Sequence, residues 1–336
     1  MKFKTVYKIG LIVILICILY GCQNIGDNKE NETIPEYVFR YAENQPEGYP
    51  TTEAAYRFSE LVYDRTNGKI KINVHSGGVL GDEVSVVEQL QYGGIDFARV
   101  SIMSMGDVEP KINILQMPYL YRDTEHMWAV LDGDIGQSFM YTFEDFGLKA
   151  LAWYDAGTRH FYTREQVSCL EDLVGKKIRT GKSALLETMV ESFGATPVPM
   201  DYSDIYAALE LGEIYGAENN WASYEYAENY KVAKYMLLNG HIKIPELQIV
   251  SSATWNKLSL EDKEIIEQCA KEASKYQREL WKEQEIASRE KLESMGVITT
   301  ELSEIELEKF KKAVEPMYEV LDEETKDWIE KIRNIK

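Results

Sequence analysis

The chain alternates between segments whose apolar residues repeat every second position and segments with helical spacing. KIKINVH (69–75) alternates and predicts a strand. TTEAAYRFSELVYDRTNG (51–68) has apolar residues at helical spacing between a threonine start and a glycine stop, which predicts a helix. A strand over 36–44 precedes it, and a glycine-rich turn, GGVLG, opens a second helix and a third strand. This order predicts a largely parallel sheet with sites at the carboxyl ends of its strands.

The second half of the chain repeats this order. LKALAWYDAGTRHFYT (148–163) predicts a strand that enters a loop, and GKKIRTG (175–181) predicts a strand that runs into a helix. TPVPM (196–200) has two prolines, which suit an edge or crossing strand, and a helix over SDIYAALELG follows it.

A very long helix is predicted over 259–296. Ser259 and Asp262 form a start that resembles a capping box, and the length corresponds to about 55 Å at 1.5 Å per residue. Such a helix is long enough to contact two domains. Its predicted apolar stripe consists of Ile266, Cys269, Ala273, Tyr276 and Leu280.

The N-terminus predicts export. Residues 1–21 combine lysines with an apolar run of about eleven residues, which is too short to span a membrane and is typical of a signal peptide. LYGC (19–22) resembles a lipobox, which predicts a lipid anchor on Cys22; an ordinary signal peptide or a membrane anchor is the alternative. Residues 22–36 are polar and predict a flexible tether.

The length and net charge of the chain limit the number of domains and the kinds of binding partner. The 336 residues exceed one usual core and predict two domains. The net charge of -19 argues against nucleic acid or an anionic lipid surface as partner, so a bound anion needs a local cluster of positive charge. Cys169 and Cys269 are predicted free thiols, because they fit neither a disulfide framework nor a metal site.

Several ordered motifs carry a family resemblance. TNGKIKINVHSGGVLGDE, QYGGIDFARVS, DAGTRHFYT, DLVGKKIRT and FGATPVPMDYSDIYAALELGEIYGAENN precede the long helix. In this order the chain resembles the DctP-type solute-binding subunit of tripartite ATP-independent periplasmic (TRAP) transporters over residues 37 to about 300. The resemblance implies an α/β fold of the two-domain periplasmic-binding-protein type (class II-like) with a long helix spanning both domains. The expected division is 37–155 plus 245–284 for domain I and 156–244 plus 285–336 for domain II.

The resemblance implies that Arg179 grips a ligand carboxylate. A guanidinium matches a carboxylate with two parallel hydrogen bonds, which a lysine cannot make. The alternative is a structural arginine tied to a neighbouring Asp or Glu. Arg159 matches a second family arginine, with pairing to Asp155 as its alternative. Asn219 matches a ligand-binding amide, and Asn220 either shares that role or shapes the turn.

Four further ligand contacts are predicted at the cleft. Glu83 can accept from sugar hydroxyls or cap its helix, and Tyr202 can cover an apolar ligand face or pack in the core. Asn44 and Gln45 lie with Glu43 at a strand end that is suited to reading hydroxyls. Many relatives have His-Pro where this chain has Tyr49 before Pro50, so the contact made there by histidine is in doubt.

A single site for one carboxylate, together with several neutral and acidic side chains that can accept hydrogen bonds from hydroxyls, favours a sugar acid as the ligand. DAGTRHFYT together with GAENN resembles the branch that binds hexuronates such as glucuronate and galacturonate. The implied partners are the organic acid and the membrane permease subunits, with no cofactor. Another carboxylate (a dicarboxylate or keto acid) and a ligand-reporting role for a sensor kinase are the alternatives. The histidines are scattered and form no catalytic or metal motif, which disfavours an enzyme.

Overall fold

The computed structural model describes residues 34–336, which form two β-sheets flanked by helices. The strands are β1 (Tyr37–Ala42), β2 (Ile70–His75), β3 (Phe97–Ser101), β4 (Leu148–Tyr154), β5 (Thr158–Thr163), β6 (Lys177–Thr180), β7 (Thr196–Pro199), β8 (Gly216–Asn219), β9 (Tyr235–Lys243), β10 (Glu246–Ser251) and β11 (Ile298–Glu301). The α-helices are α1 (Pro50–Arg65), α2 (Glu83–Gln91), α3 (Thr124–Leu131), α4 (Asp134–Thr142), α5 (Ala184–Ser192), α6 (Ile205–Leu211), α7 (Trp221–Tyr226), α8 (Ser252–Trp255), α9 (Leu260–Ser294), α10 (Glu304–Glu319) and α11 (Glu323–Asn334). Short 3₁₀ turns span Ile102–Met105, Pro110–Gln116, Phe143–Phe146, Leu170–Leu173, Tyr202–Asp204 and Asn229–Lys231.

The two sheets define two lobes. Lobe I is built on the sheet with order β2-β1-β3-β10-β4, and lobe II on the sheet with order β11-β9-β5-β8-β6-β7. The chain passes between the sheets from Tyr154 to Thr158 and again from Lys243 to Glu246. The predicted α/β fold with two lobes is confirmed. The domain division given above stays a prediction.

In each sheet one strand has parallel neighbours on both sides, and the chain connections leave this point of the sheet in opposite directions. β1 pairs in parallel with both β2 and β3, and β6 pairs in parallel with both β7 and β8. Loops that leave neighbouring parallel strands in opposite directions leave a crevice at the carboxyl ends. Residues that follow β1 and β3 therefore meet residues that follow β6 and β8 across the interlobe cleft.

The long helix α9 bridges both lobes. Ser259 caps its N-terminus by accepting from the Asp262 amide, as predicted, and its 35 residues span about 52 Å. Its first half buries Ile266 in the core of lobe I, and near its end Leu292 packs in the core of lobe II. The predicted stripe fails at Tyr276, which is 38% exposed.

The stripe fails because the helix changes neighbours along its length. The next buried positions after Ala273 are Ser274, Gln277 and Trp281, which face the connection between the lobes rather than the apolar core of lobe I. The Gln277 side chain accepts a hydrogen bond from the Asp155 amide at 2.8 Å and donates one to the Asp155 carbonyl at 2.8 Å. The helix therefore holds the first interlobe connection through polar contacts.

The two C-terminal helices pack on different lobes: α10 contacts α5 and β9 of lobe II, whereas α11 returns to lobe I. α11 packs against the 110–116 turn, and the rings of Phe139 and Trp328 lie 5.2 Å apart. Cys269 is buried and Cys169 half-buried, and both are free thiols, as predicted. Within residues 34–336, every helix is too short or too polar to cross a membrane.

Candidate functional site

Arg179 lies in β6 of the lobe II sheet, between β8 and the edge strand β7. It is only 5% exposed, and its Nε and Nη2 donate to the Met200 carbonyl at 3.0 and 2.7 Å. Over residues 34–336 it forms no ion pair with a carboxylate. The alternative of an arginine tied to a protein acid is therefore wrong. Because Met200 occupies the Nε side of the fork, the Nη1–Nη2 edge is the one that can meet a ligand carboxylate.

Burial lowers the pKa of the Arg179 guanidinium; the charge of Arg159 lowers it further, while Tyr162 and Glu218 act in the opposite direction. A guanidinium keeps its proton in proteins, so this direction reflects the electrostatic cost of burying the cation. An organic anion placed on the open edge removes that cost. The open edge of Arg179 therefore favours a negatively charged group beside it.

Arg159 pairs with Glu218 and not with Asp155, the partner in the alternative given for it. Its Nε and Nη2 donate to the two carboxylate oxygens of Glu218 at 2.6 and 2.8 Å, whereas Asp155 accepts from the Gly157 amide. Burial alone would raise the pKa of Glu218, but the charge and hydrogen bonds of Arg159, together with His241, lower it to about 2. Arg159 and Glu218 thus form a buried neutral pair beside Arg179.

The two asparagines at the end of β8, Asn219 and Asn220, have separate roles. Asn220 caps α7 by accepting from the Ser223 amide at 2.7 Å, and its Nδ2 donates to the Ala156 carbonyl at 2.9 Å. Both ends of its side chain are used, which supports the turn-shaping alternative. Asn219 is 5% exposed, and its Oδ1 accepts from the Asn220 amide. Its Nδ2 is the end of the side chain with hydrogen-bonding capacity left for a ligand.

Lobe I faces this site with a cluster around Arg99, a residue that was not predicted. Arg99 pairs with Glu43, with Glu83 at 2.7 Å and with Glu246 at 3.2 Å, and it also donates to the Asn44 side chain. A charged residue inside the apolar strand FARVS was the available signal, because Arg is almost never fully buried without partners.

Glu83 does not cap its helix. The N-cap is Asp82, which accepts from the Ser85 amide, and Glu83 is the first helical residue. Its carboxylate accepts from Asn44 Nδ2 at 2.9 Å, from Arg99 and from Ser104 Oγ at 2.8 Å. Asn44 and Glu83 are thus held by hydrogen bonds to each other and to Arg99, and the capping alternative for Glu83 is wrong.

Gln45, Tyr202 and Tyr49 lie where the lobes meet. Gln45 Oε1 is buried and has no hydrogen-bond partner among the described residues. Burial raises the pKa of Tyr202, while its hydrogen bond with Ser223 and the charges of three arginines, Arg179, Arg159 and Arg99, lower it. Cations from both lobes therefore surround Tyr202. Its hydroxyl donates to the Ser223 carbonyl at 3.1 Å, so its ring is fixed at this position.

Direct contacts join the two lobes. Tyr49 Oη lies 2.9 Å from Ser223 Oγ, and Tyr226 donates to the Gly48 carbonyl at 2.7 Å. The Tyr49 ring also packs edge-on against Trp281 of α9, with centroids 5.7 Å apart. Where many relatives have histidine, this chain thus has a tyrosine that connects lobe I to α7 and α9.

Two other features lie apart from the cleft. A cavity of about 1000 Å³ is bordered by Tyr119, Lys243 and Tyr318, and no predicted ligand residue lines it. Cys169, Glu171 and Glu306 approach one another, but Lys309 pairs with both carboxylates at 3.0 and 2.8 Å. The predicted signal peptide (1–21), Cys22 and the tether up to residue 33 lie outside the described residues.

Comparison with known proteins identifies the family. Residues 41–325 match the model of bacterial extracellular solute-binding protein family 7, DctP. The chain belongs to the DctP family. A solute-binding protein of Chromohalobacter salexigens is 34% identical over 275 residues, which cover 82% of this chain and 81% of the relative.

Two solved TRAP periplasmic solute-binding proteins match this DctP-family chain. The protein of Xanthobacter autotrophicus Py2, with bound β-D-galacturonate, is 37% identical with a TM-score of 0.85 and covers 89% of this chain and 100% of its own. The protein of Pseudomonas putida F1, with bound D-glucuronate, is 36% identical with a TM-score of 0.86 and covers 89% and 97%. The predicted TRAP solute-binding function is confirmed, and the family is one of extracytoplasmic transport proteins rather than enzymes.

Proposed function

We propose that this protein captures a hexuronate, such as glucuronate or galacturonate, between its lobes and delivers it to a TRAP permease. The observation that carries the proposal is the buried Arg179, which has no carboxylate partner among the described residues and has one edge of its fork left for an anion. The solved relatives described above hold galacturonate and glucuronate, which supports the same ligand class here.

The proposed arrangement divides the sugar acid between the lobes. Its carboxylate lies on Arg179, with Arg159 and the Asn219 amide beside it, and its hydroxyls face the cluster around Arg99. Tyr202 covers one face of the ring. Because each lobe supplies half of the contacts, the ligand favours the closed form, which the permease then recognises.

Ligand class is tested by thermal unfolding and calorimetry with glucuronate, galacturonate, succinate and pyruvate. At about 100 times its dissociation constant, a uronate should stabilise the protein by roughly 2.7 kcal/mol. Stabilisation by succinate or pyruvate and not by uronates would reject the sugar acid. Uptake by cells with and without the permease subunits separates delivery to a permease from reporting to a sensor kinase.

We further propose that the mature protein is tethered outside the cytoplasmic membrane by lipid on Cys22 and residues 22–36. The motif LYGC supports this position. Cells fed a radioactive fatty acid should label the wild-type protein and not the Cys22→Ala variant. Release of unlabelled wild-type protein into the soluble fraction would indicate an ordinary signal peptide instead.

A further inference from the structure

The cluster in lobe I contains more negative than positive charge. Arg99 is its one cation among the described residues, and it contacts three carboxylates, on Glu43, Glu83 and Glu246. The side chains of the three acids are 0%, 15% and 12% exposed, respectively, and that of Arg99 is 1% exposed. Three ionised acids around one buried cation leave two uncompensated charges, and buried like charges do not all remain ionised. One of the carboxyl groups therefore holds a proton.

Hydrogen bonding identifies which one. Glu83 accepts from two side chains on Oε1 and from the Ser101 amide and the Ser104 hydroxyl on Oε2. Glu43 accepts from Arg99 on both oxygens and from the Gln45 amide. These donors stabilise the ionised forms.

The carboxyl group of Glu246 has a single hydrogen bond among the described residues. Its Oε1 accepts from Arg99 at 3.2 Å, the longest ion pair in the cluster. Its Oε2 is buried and has no hydrogen-bond partner among the described residues. Glu246 is thus the acid with the least support for a negative charge and with a hydrogen bond still to make.

The position of Glu246 brings it to the cleft. It opens β10 directly after the second interlobe connection and pairs with Ser101 and Tyr154, the last residues of β3 and β4. Glu246 is also close enough to Tyr49 to raise the pKa of that tyrosine, after burial and Tyr202. It therefore lies at the carboxyl ends of β3 and β4, beside the interlobe cleft.

We propose that Glu246 is a neutral carboxylic acid that donates a hydrogen bond to a hydroxyl oxygen of the bound sugar acid, so that ligand binding requires its proton. The proposal rests on the proposed function. Burial raises the pKa of Glu246 to about 8; Arg99 and Arg159 lower it, whereas Glu83 and Glu43 raise it. Tyr49 and Tyr154 are the other titratable neighbours of Glu246 within residues 34–336, and burial raises the pKa of both well above 10, so they stay neutral between pH 6.5 and 9.5.

The sign of the pH dependence follows from the charges. Below pH 8 Glu246 is neutral and can donate. Above it, the cluster gains a negative charge, loses the donor and repels the anionic ligand. Affinity should therefore fall as pH rises, by up to about tenfold per pH unit beyond the pKa.

The first test measures uronate affinity by calorimetry between pH 6.5 and 9.5 in wild type and Glu246→Gln. Glutamine keeps the shape and an N–H donor but cannot ionise. Wild type should lose at least about tenfold in affinity across this range, and the variant should change by less than about threefold. Equal slopes in the two proteins, or a flat wild-type curve, would overturn the proposal. Lys243→Met is the matched control, because burial lowers the pKa of Lys243 and this lysine lies outside the cleft; its slope should equal that of wild type.

The second test needs no ligand. An acid whose pKa is raised on folding keeps its proton in the native state, so its contribution to stability falls as pH rises from the unfolded value to about 8. Relative to Glu246→Gln, the unfolding constant of wild type should increase by up to about tenfold per pH unit in this window. A ratio that does not change with pH would overturn the proton assignment. Carboxyl carbon NMR of glutamate-labelled wild type reads the same titration without any variant.

The two tests separate the two proposals. If no uronate binds at any pH while the ligand-free titration is present, the proposed ligand is wrong and Glu246 still holds its proton. If uronates bind with the same affinity in both proteins at every pH, the ligand stands and the role of Glu246 fails.

Discussion

Replacing Arg179 by lysine tests whether the site needs the planar geometry of the guanidinium as well as its positive charge. The ammonium keeps the positive charge but cannot present the Nη1–Nη2 edge that Met200 leaves open. A ligand carboxylate then loses one of two charge-assisted hydrogen bonds, each of which contributes about 1.5 to 3 kcal/mol. Uronate affinity should therefore fall by about 10- to 150-fold.

The same substitution should hardly affect folding. Arg179 has no carboxylate partner over residues 34–336, so no buried acid is left unpaired, and the Met200 carbonyl keeps access to one donor. We expect the ligand-free stability to change by less than about 1 kcal/mol. Arg159→Lys is the matched control: Arg159 is similarly buried, but it binds Glu218 with two hydrogen bonds. Losing one of these should destabilise the protein by about 1.5 to 3 kcal/mol.

Calorimetry gives the affinities, and urea unfolding without ligand gives the stabilities. The reasoning is refuted if Arg179→Lys destabilises the ligand-free protein as much as Arg159→Lys does. It is also refuted if uronate affinity changes by less than threefold, because the fork would then not hold the carboxylate.

Three further predictions concern stability and closure. The pKa of Glu218 is lowered to about 2, so its contribution to stability is complete above the pKa of the unfolded chain and is lost as pH falls toward 2. In urea titrations between pH 5 and 2, wild type should lose about 3 kcal/mol more stability than Glu218→Gln. Parallel stability curves for the two proteins would contradict this. A Cβ on Gly181 would clash with Met103 Sδ across the cleft and force the methionine off its rotamer. Gly181→Ala should therefore weaken uronate binding about fivefold in calorimetry, and the Gly181→Ala, Met103→Ala double variant should recover it. Tyr49→Phe removes the contact with Ser223 and should weaken binding by about 1 kcal/mol; an unchanged affinity would show that this hydrogen bond does not favour closure.

Local chemistry explains which features could be predicted from the sequence. The start of α9 at Ser259 depends on a hydrogen bond three residues away, and the position of Arg179 depends on the strand that contains it. Both are contained in short stretches of sequence. The sites at strand ends follow from the order of strands and helices, and that order can also be recognised from apolar spacing.

Pairings between distant residues could not be predicted in this way. Arg159 meets Glu218 rather than Asp155 because β5 and β8 pair antiparallel with His160 opposite Asn219, a register that no local motif encodes. The cluster around Arg99 likewise depends on β10, which enters the lobe I sheet from more than 140 residues later. The prediction that Tyr276 belongs to the apolar stripe of α9 fails for the same reason, because the neighbours of α9 change where the lobes join.

The placement of Trp281 gives this protein a built-in optical reporter. Its indole is 1% exposed, and it packs against the ring of Tyr49, which belongs to lobe I. Separation of the lobes would take that ring away and admit solvent to the indole. Emission from this fluorophore should therefore shift to the blue and gain intensity as sugar acid is added, with no attached label.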